Sequence, residues 1–171
     1  MTDSCGIRAA VAIIEDRDSF LRCIRAIGEE SGTHIICFNA DMLAGKRHAL
    51  LAVRHALRSF TNGTSIANSL EMEALLFASG TRQCTIGASF GIQPGENHLF
   101  ICCCPIRNEV WEKLDPFCQW PGGDPYESID QVKKERLMSL FAIPPEEIQM
   151  VGEDRFSDLV LERVVLLEAY R

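Results

Sequence analysis

The sequence predicts one mixed α/β domain, a small sheet with helices on both faces. Three observations predict it. A chain of 171 residues suits a single sizeable core. Segments with helical and strand periods interleave from end to end. The two segments of strand character nearest the N-terminus are apolar throughout, as strands covered on both faces are. No linker, repeat or low-complexity tract interrupts residues 1–171, so a single domain is expected.

Each element has its own signal. "IRAAVAII" (7–14) is an unbroken apolar run of strand length. Asp16 or Asp18 caps the segment that follows, where Phe20, Leu21, Ile24 and Ile27 recur at helical spacing before Gly32. "THIICFN" (33–39) is rich in β-branched and aromatic residues and reads as a second strand. Residues 40–44 suit a short helical turn. Over 46–60, Ala49, Ala52, Val53, Ala56 and Phe60 fall on one side and Arg47, Arg54 and Arg58 on the other. That is an amphipathic helix, ended by Asn62-Gly63.

Asn68, with Glu71 three residues on, reads as an N-cap with its capping-box partner. The helix it opens is apolar on nearly all sides and should be the central buried one, with Gly80 past its end. A weaker helix fits 81–89. "PGEN" is a turn, and "HLFICCCP" is a strand that stops at Pro105. "NEVWEKL" is a short helix. Residues 115–130, with three prolines and two glycines, form a long loop. A helix over 130–143 places Val132, Leu137, Leu140 and Phe141 inward, and Pro144-Pro145 stops it. Ser157 caps a last helix, "DLVLERVVLLEAY", whose apolar residues exceed one stripe.

Composition excludes several functions. No apolar run is long enough for a membrane span, and the N-terminus lacks the basic leader of a secretory signal. The eight cysteines include no C-x-x-C pair, and Cys102, Cys103 and Cys104 alternate faces along a strand, so a shared metal is not expected. The absence of an export signal argues against a disulfide framework and for a reducing cytoplasm. No Ser, His and Asp are suggestively placed, and His98 and Cys102 lie ~13 Å apart along a strand. No phosphate-cradling glycine motif occurs. Neither catalysis nor a cofactor is therefore expected.

Charge is informative in its distribution. The net charge is −7, yet residues 42–95 carry five cations against two carboxylates, and 42–70 contain no acidic residue at all. The basic helical face lacks i±4 carboxylates, unlike most solvated faces, which mix both signs. Just past the central helix, Arg82 offers a planar fork for phosphate and Gln83 an amide for a base edge. Asn68 and Ser69 form a polar helix N-terminus at its other end. Such contacts suit single-stranded RNA. From these residues alone, a salt bridge closing the helix end accounts for Arg82 equally well.

"NSLEMEALLFASGTRQ" resembles the pattern NSL-x-ME-x-LL-aromatic-ASG-x-RQ of one family: the smallest core subunit of the KEOPS complex, whose human member binds the p53-related kinase. The upstream basic helix, the closing "LVLERVVLLEAY" and the order of elements are similar too. Phe77 stands in place of a tyrosine and Cys84 in place of a branched aliphatic residue, and both stay apolar. The resemblance implies an α+β fold with a largely antiparallel sheet and no enzymatic activity. It implies two partners, the complex's small atypical kinase and the 3′ CCA end of tRNA. The complex makes threonylcarbamoyladenosine next to the anticodon, with the metal- and ATP-dependent chemistry in other subunits.

On that resemblance Lys46, Arg47, Arg54 and Arg82 are expected at phosphates, with Asn68, Ser69 and Gln83 near the terminal bases. The kinase surface is expected on the last helix, at Leu159, Leu161, Val164, Val165 and Leu167. The alternative for those five is burial between two layers of the same domain. The alternative for the whole protein is a purely regulatory kinase-binding role with no RNA contact.

Overall fold

The computed structural model describes residues 5–169. Strands β1 (Gly6–Ile14), β2 (His34–Asn39) and β3 (Gly95–Cys104) form one sheet in the order β1-β3-β2. β3 is antiparallel to both neighbours, so β1 and β2 run alike on either side of it. Helix α1 (Arg17–Ser31) joins β1 to β2. Helices α2 (Lys46–Asn62), α3 (Leu70–Ser79) and α4 (Cys84–Ala88) fill the long connection from β2 to β3. After β3 come α5 (Asn108–Leu114), α6 (Gln131–Leu140), α7 (Pro145–Val151) and α8 (Phe156–Ala169). The expected α+β domain and its antiparallel sheet are found, with helices on both faces.

Strand alternation divides the core in two. Ile36, Phe38, Phe100 and Cys102 join α2, α3 and α8 on one face. Ile35, Cys37, Leu99, Ile101 and Cys103 join α1 and α5 on the other. β3 is enclosed from both sides, and residues 99–104 are at most 4% exposed. Among the described residues no helix is long and apolar enough to cross a membrane.

Several expectations are corrected. The cap of α3 is Ser69, whose hydroxyl accepts from the Met72 N–H, and Asn68 stays exposed one position outside. In α6, Val132 and Leu140 face solvent, while Lys133 is buried with Nζ donating to the Tyr126 carbonyl. α6 ends at Leu140, with Ala142 at a φ of 51° just beyond its cap, before Pro144-Pro145 is reached, and Pro145 then opens α7, where its missing N–H costs no helical hydrogen bond. Ile13 in the apolar run of β1 is 73% exposed at the strand's free end. Phe60, expected inward on α2, is 38% exposed. The predicted end of α8 at Tyr170 lies outside the described residues. Cys5 and Cys104 are joined in a disulfide, because the register that pairs Gly6 with Cys103 brings them side by side. The other six cysteines are free.

Among the described residues one carboxyl side chain is buried. Glu73, 0% exposed on α3, accepts from the Ser59 hydroxyl at 3.0 Å and from the Ile66 and Ala67 N–H groups at 3.1 and 2.8 Å. It organises the turn between α2 and α3 by supplying acceptors that the turn's own backbone lacks. Replacing Glu73 with Ala strands these donors and should lower stability by about 3 kcal/mol. Urea denaturation measures this, and a loss below about 1 kcal/mol would show that the turn finds other acceptors.

Candidate functional site

α3 runs antiparallel to α2: His48 meets the Ala78 carbonyl at one end and Ser59 meets Glu73 at the other. Arg82 and Gln83 therefore lie toward the start of α2, while Asn68 and Ser69 lie toward its end. The ten residues of α3 separate the two groups by ~15 Å. The predicted RNA-binding residues thus spread along a ridge and do not converge on one point.

α8 lies along α2 in the same direction, and its carboxylates meet the basic face. Arg47 is 3.8 Å from Asp158, and Arg58 is 3.2 Å from Glu168. Lys46 pairs with Asp124 of the long loop at 2.9 Å, and its N–H donates to Glu127 at 2.7 Å. Arg54 is exposed and has no carboxylate within 4 Å among the described residues. Arg82 is exposed but not without a partner. Gln83 is exposed at the start of α4, its N–H donating to the Thr81 hydroxyl. Sequence spacing missed Asp124, Asp158, Glu127 and Glu168, because they lie 78 to 110 residues from their partners or at comparable separations. The Arg47 pair is loose and its side chain is 76% exposed, so solvent and salt weaken it.

The five apolar residues assigned to a partner divide. Leu159, Val164 and Leu167 are at most 7% exposed and belong to the core. Leu161 is half-buried and Val165 is 44% exposed, with exposed Leu166 beside it. α8 carries more than one stripe because the sheet-side core takes one side and the seam with α2 takes another.

Two histidines of α2, His48 and His55, are buried beneath this ridge. His55 is buried, stacked on Phe77, with Nδ1 2.5 Å from the Glu168 carboxylate but out of line for a hydrogen bond. His48 Nδ1 accepts from the Ala44 N–H and Nε2 donates to the Ala78 carbonyl, which suits the neutral ring. Burial lowers its pKa to about 4 against the pull of the Ala78 carbonyl. Near the start of the central strand β3, His98 stands between Asp41 and Glu96; burial opposes its charge, but the two carboxylates outweigh it and raise its pKa. No group of three or more His, Cys, Asp or Glu among the described residues is placed to hold a metal ion.

The outward helical faces thus carry ion pairs edged by apolar side chains. A family model described as kinase binding protein CGI-121 matches residues 23–168, and the chain belongs to that family. This is the family that the motif of residues 68–83 resembles. No curated protein matches the chain.

Because the folded-state pKa of His48 is depressed, its contribution to stability is present above its unfolded value and lost as pH falls. Between pH ~6.5 and ~4 the loss should approach about 1.4 kcal/mol per pH unit. His98, with its pKa raised, acts oppositely: its stabilisation is complete below pH ~6.5 and fades as pH rises through the higher value. NMR of the His48 ring should show no titration above about pH 5. A ring that titrates near its ordinary value would mean it is not enclosed as described.

Proposed function

We propose that this protein is the non-catalytic, kinase-binding subunit of a cytoplasmic KEOPS-type complex. It binds and stimulates the complex's small atypical kinase and recruits tRNA by its 3′ CCA end, in support of threonylcarbamoyladenosine formation next to the anticodon. The observation that carries this reading is the motif from Asn68 to Gln83 within a chain of the kinase-binding family. Kinase binding is the family's property; the complex, the RNA and the residues are the proposed part.

The kinase meets α8 through Leu161 and Val165, since Leu159, Val164 and Leu167 are spent in the core. Truncating α8 would therefore unfold the protein, and point substitutions are the informative test. Leu161→Glu with Val165→Glu should reduce kinase pull-down at least about tenfold at unchanged melting temperature, as expected of a central apolar contact. Undiminished pull-down would move the kinase to another surface.

For RNA, Arg54 is the exposed cation of α2 with no carboxylate within 4 Å among the described residues, and Arg82 and Gln83 lie toward the start of the same helix. Ionic contacts to phosphate make binding fall steeply with salt. Arg54→Glu with Arg82→Glu should weaken tRNA binding by about tenfold or more in a gel shift at low salt. Unchanged affinity would remove RNA from this ridge. A second reading, a purely regulatory kinase-binding protein, is favoured by the pairing of Lys46, Arg47 and Arg58 with the chain's own carboxylates. Comparing tRNA with and without its CCA end separates the two.

A further inference from the structure

The cross-link between Cys5 and Cys104 sits where the sheet has already aligned its two ends. β1 and β3 pair antiparallel from Gly6↔Cys103 to Ile14↔Gly95. One further step of that register sets Cys5 opposite Cys104, with Cα atoms 4.4 Å apart. That is the spacing of a directly opposed pair without mutual hydrogen bonds, and it lies within what a disulfide spans. The backbone need not move for the bond to form or to open. The ladder begins at Gly6, so its pairing does not depend on the cross-link. In the reducing compartment proposed above, such bonds are ordinarily transient or redox-sensing.

The two cysteines differ in access. β1 is an edge strand, and Cys5 is half-buried at its end, whereas Cys104 is 4% exposed. A small thiol therefore meets the bond from the Cys5 side. The chain's other thiols are poorly placed to compete. Cys102, on the same strand face as Cys104, is fully buried, and burial pushes its pKa up to about 12. Burial likewise pushes Cys118 up to about 11 and Cys37 far above an ordinary thiol. Thiols held neutral are poor attackers of a disulfide. Cys103 turns to the opposite face, where its Sγ donates to the Pro105 carbonyl at 3.3 Å. Cys23 and Cys84 lie away on α1 and α4.

We propose that Cys5 and Cys104 form a reversible thiol–disulfide switch, opened and closed by exchange with glutathione, that sets the protein's resistance to unfolding without changing its fold. A glutathione thiolate attacks Cys5 Sγ. The bond to Cys104 breaks, and Cys104 leaves as a thiolate that takes a proton from water. A second glutathione thiolate attacks the glutathione sulfur now on Cys5. Cys5 leaves as a thiolate and is protonated, and oxidised glutathione departs. Two electrons pass from the two glutathiones to the two protein sulfurs, and oxidised glutathione runs the same steps backward. In the closed state the link joins positions 99 residues apart, which restricts the unfolded chain far more than the native one. The chemistry rests on none of the kinase or RNA assignments.

The test is equilibration of the whole native chain in glutathione buffers from fully reduced to fully oxidised. Samples are quenched in acid, alkylated in denaturant and weighed by mass spectrometry. The reduced chain should carry adducts on all eight cysteines and the oxidised chain on the six that stay free. The same ratio should be reached from either direction, and peptide mapping should find the link between Cys5 and Cys104. The melting temperature should rise by about 5 to 15 °C on oxidation, with the backbone amide spectrum of the folded chain kept in both states. Cys5→Ser should melt like the reduced wild type in both buffers, while Cys84→Ser keeps the full response. Should Cys5→Ser fail to fold, the reduced wild type itself decides. A link that survives millimolar reduced glutathione, or a reduced chain that is unfolded, makes the bond a permanent staple and overturns the switch. So do eight adducts in oxidised glutathione, a link mapped to other cysteines, or equal melting in the two buffers.

Discussion

Helix α3 is apolar on nearly every side, and a helix without a polar face has to be enclosed. The rest of the molecule is arranged to do so. The sheet takes one side of it, α2 lies antiparallel on another, and α8 closes a third, leaving residues 73–79 at most 9% exposed. Enclosure on this scale leaves little room for polar side chains. The one acidic side chain that enters among the described residues, Glu73, is admitted because the turn from α2 presents N–H groups that would otherwise be buried unpaired. Burial of α3 and the shape of that turn are therefore one constraint.

The same constraint sets what the surface can offer. Because α8 must lie against α2 and α3 to close the core, its carboxylates fall beside the basic face of α2. Asp158 and Glu168 then sit beside Arg47 and Arg58 as a consequence of packing. What is left outward is Arg54, the polar turn after α3, and the apolar shoulder of Leu161 and Val165. A surface of this kind favours partners that bring both charge and apolar area, as proteins do, at least as readily as a bare polyanion.

Much of the fold was legible in the sequence, for local reasons. Gly32, Gly63 and Gly80 each end a helix at a φ of 65–70°, where a side chain would be strained, and each marked its helix end correctly. Apolar period found the three strands and the all-round burial of α3. What was not legible depends on long-range geometry. Ser69 displaced Asn68 as the cap because only its hydroxyl reaches the Met72 N–H. Lys133 went inward over Val132 because the 115–130 loop brings the Tyr126 carbonyl to it. The partners of Lys46 and Arg58 come from 78 and 110 residues away, beyond any helical-spacing rule. The isolation of the cations, read from i±4 positions, was for that reason the least transferable inference.

The β2 edge shows why sequence reading has a particular blind spot. "HIICF" spells a buried strand, and its side chains behave as spelled: Ile35, Ile36, Cys37 and Phe38 are at most 9% exposed. The polarity left at that edge resides in the main chain, which every residue carries alike. It becomes distinctive only because strand order puts β2 at an edge and Gly91 adds no side chain beside the Cys37 carbonyl. Sites built from side chains leave a motif in the sequence. An unpaired strand edge leaves no motif, and is found by asking where each buried N–H and C=O goes.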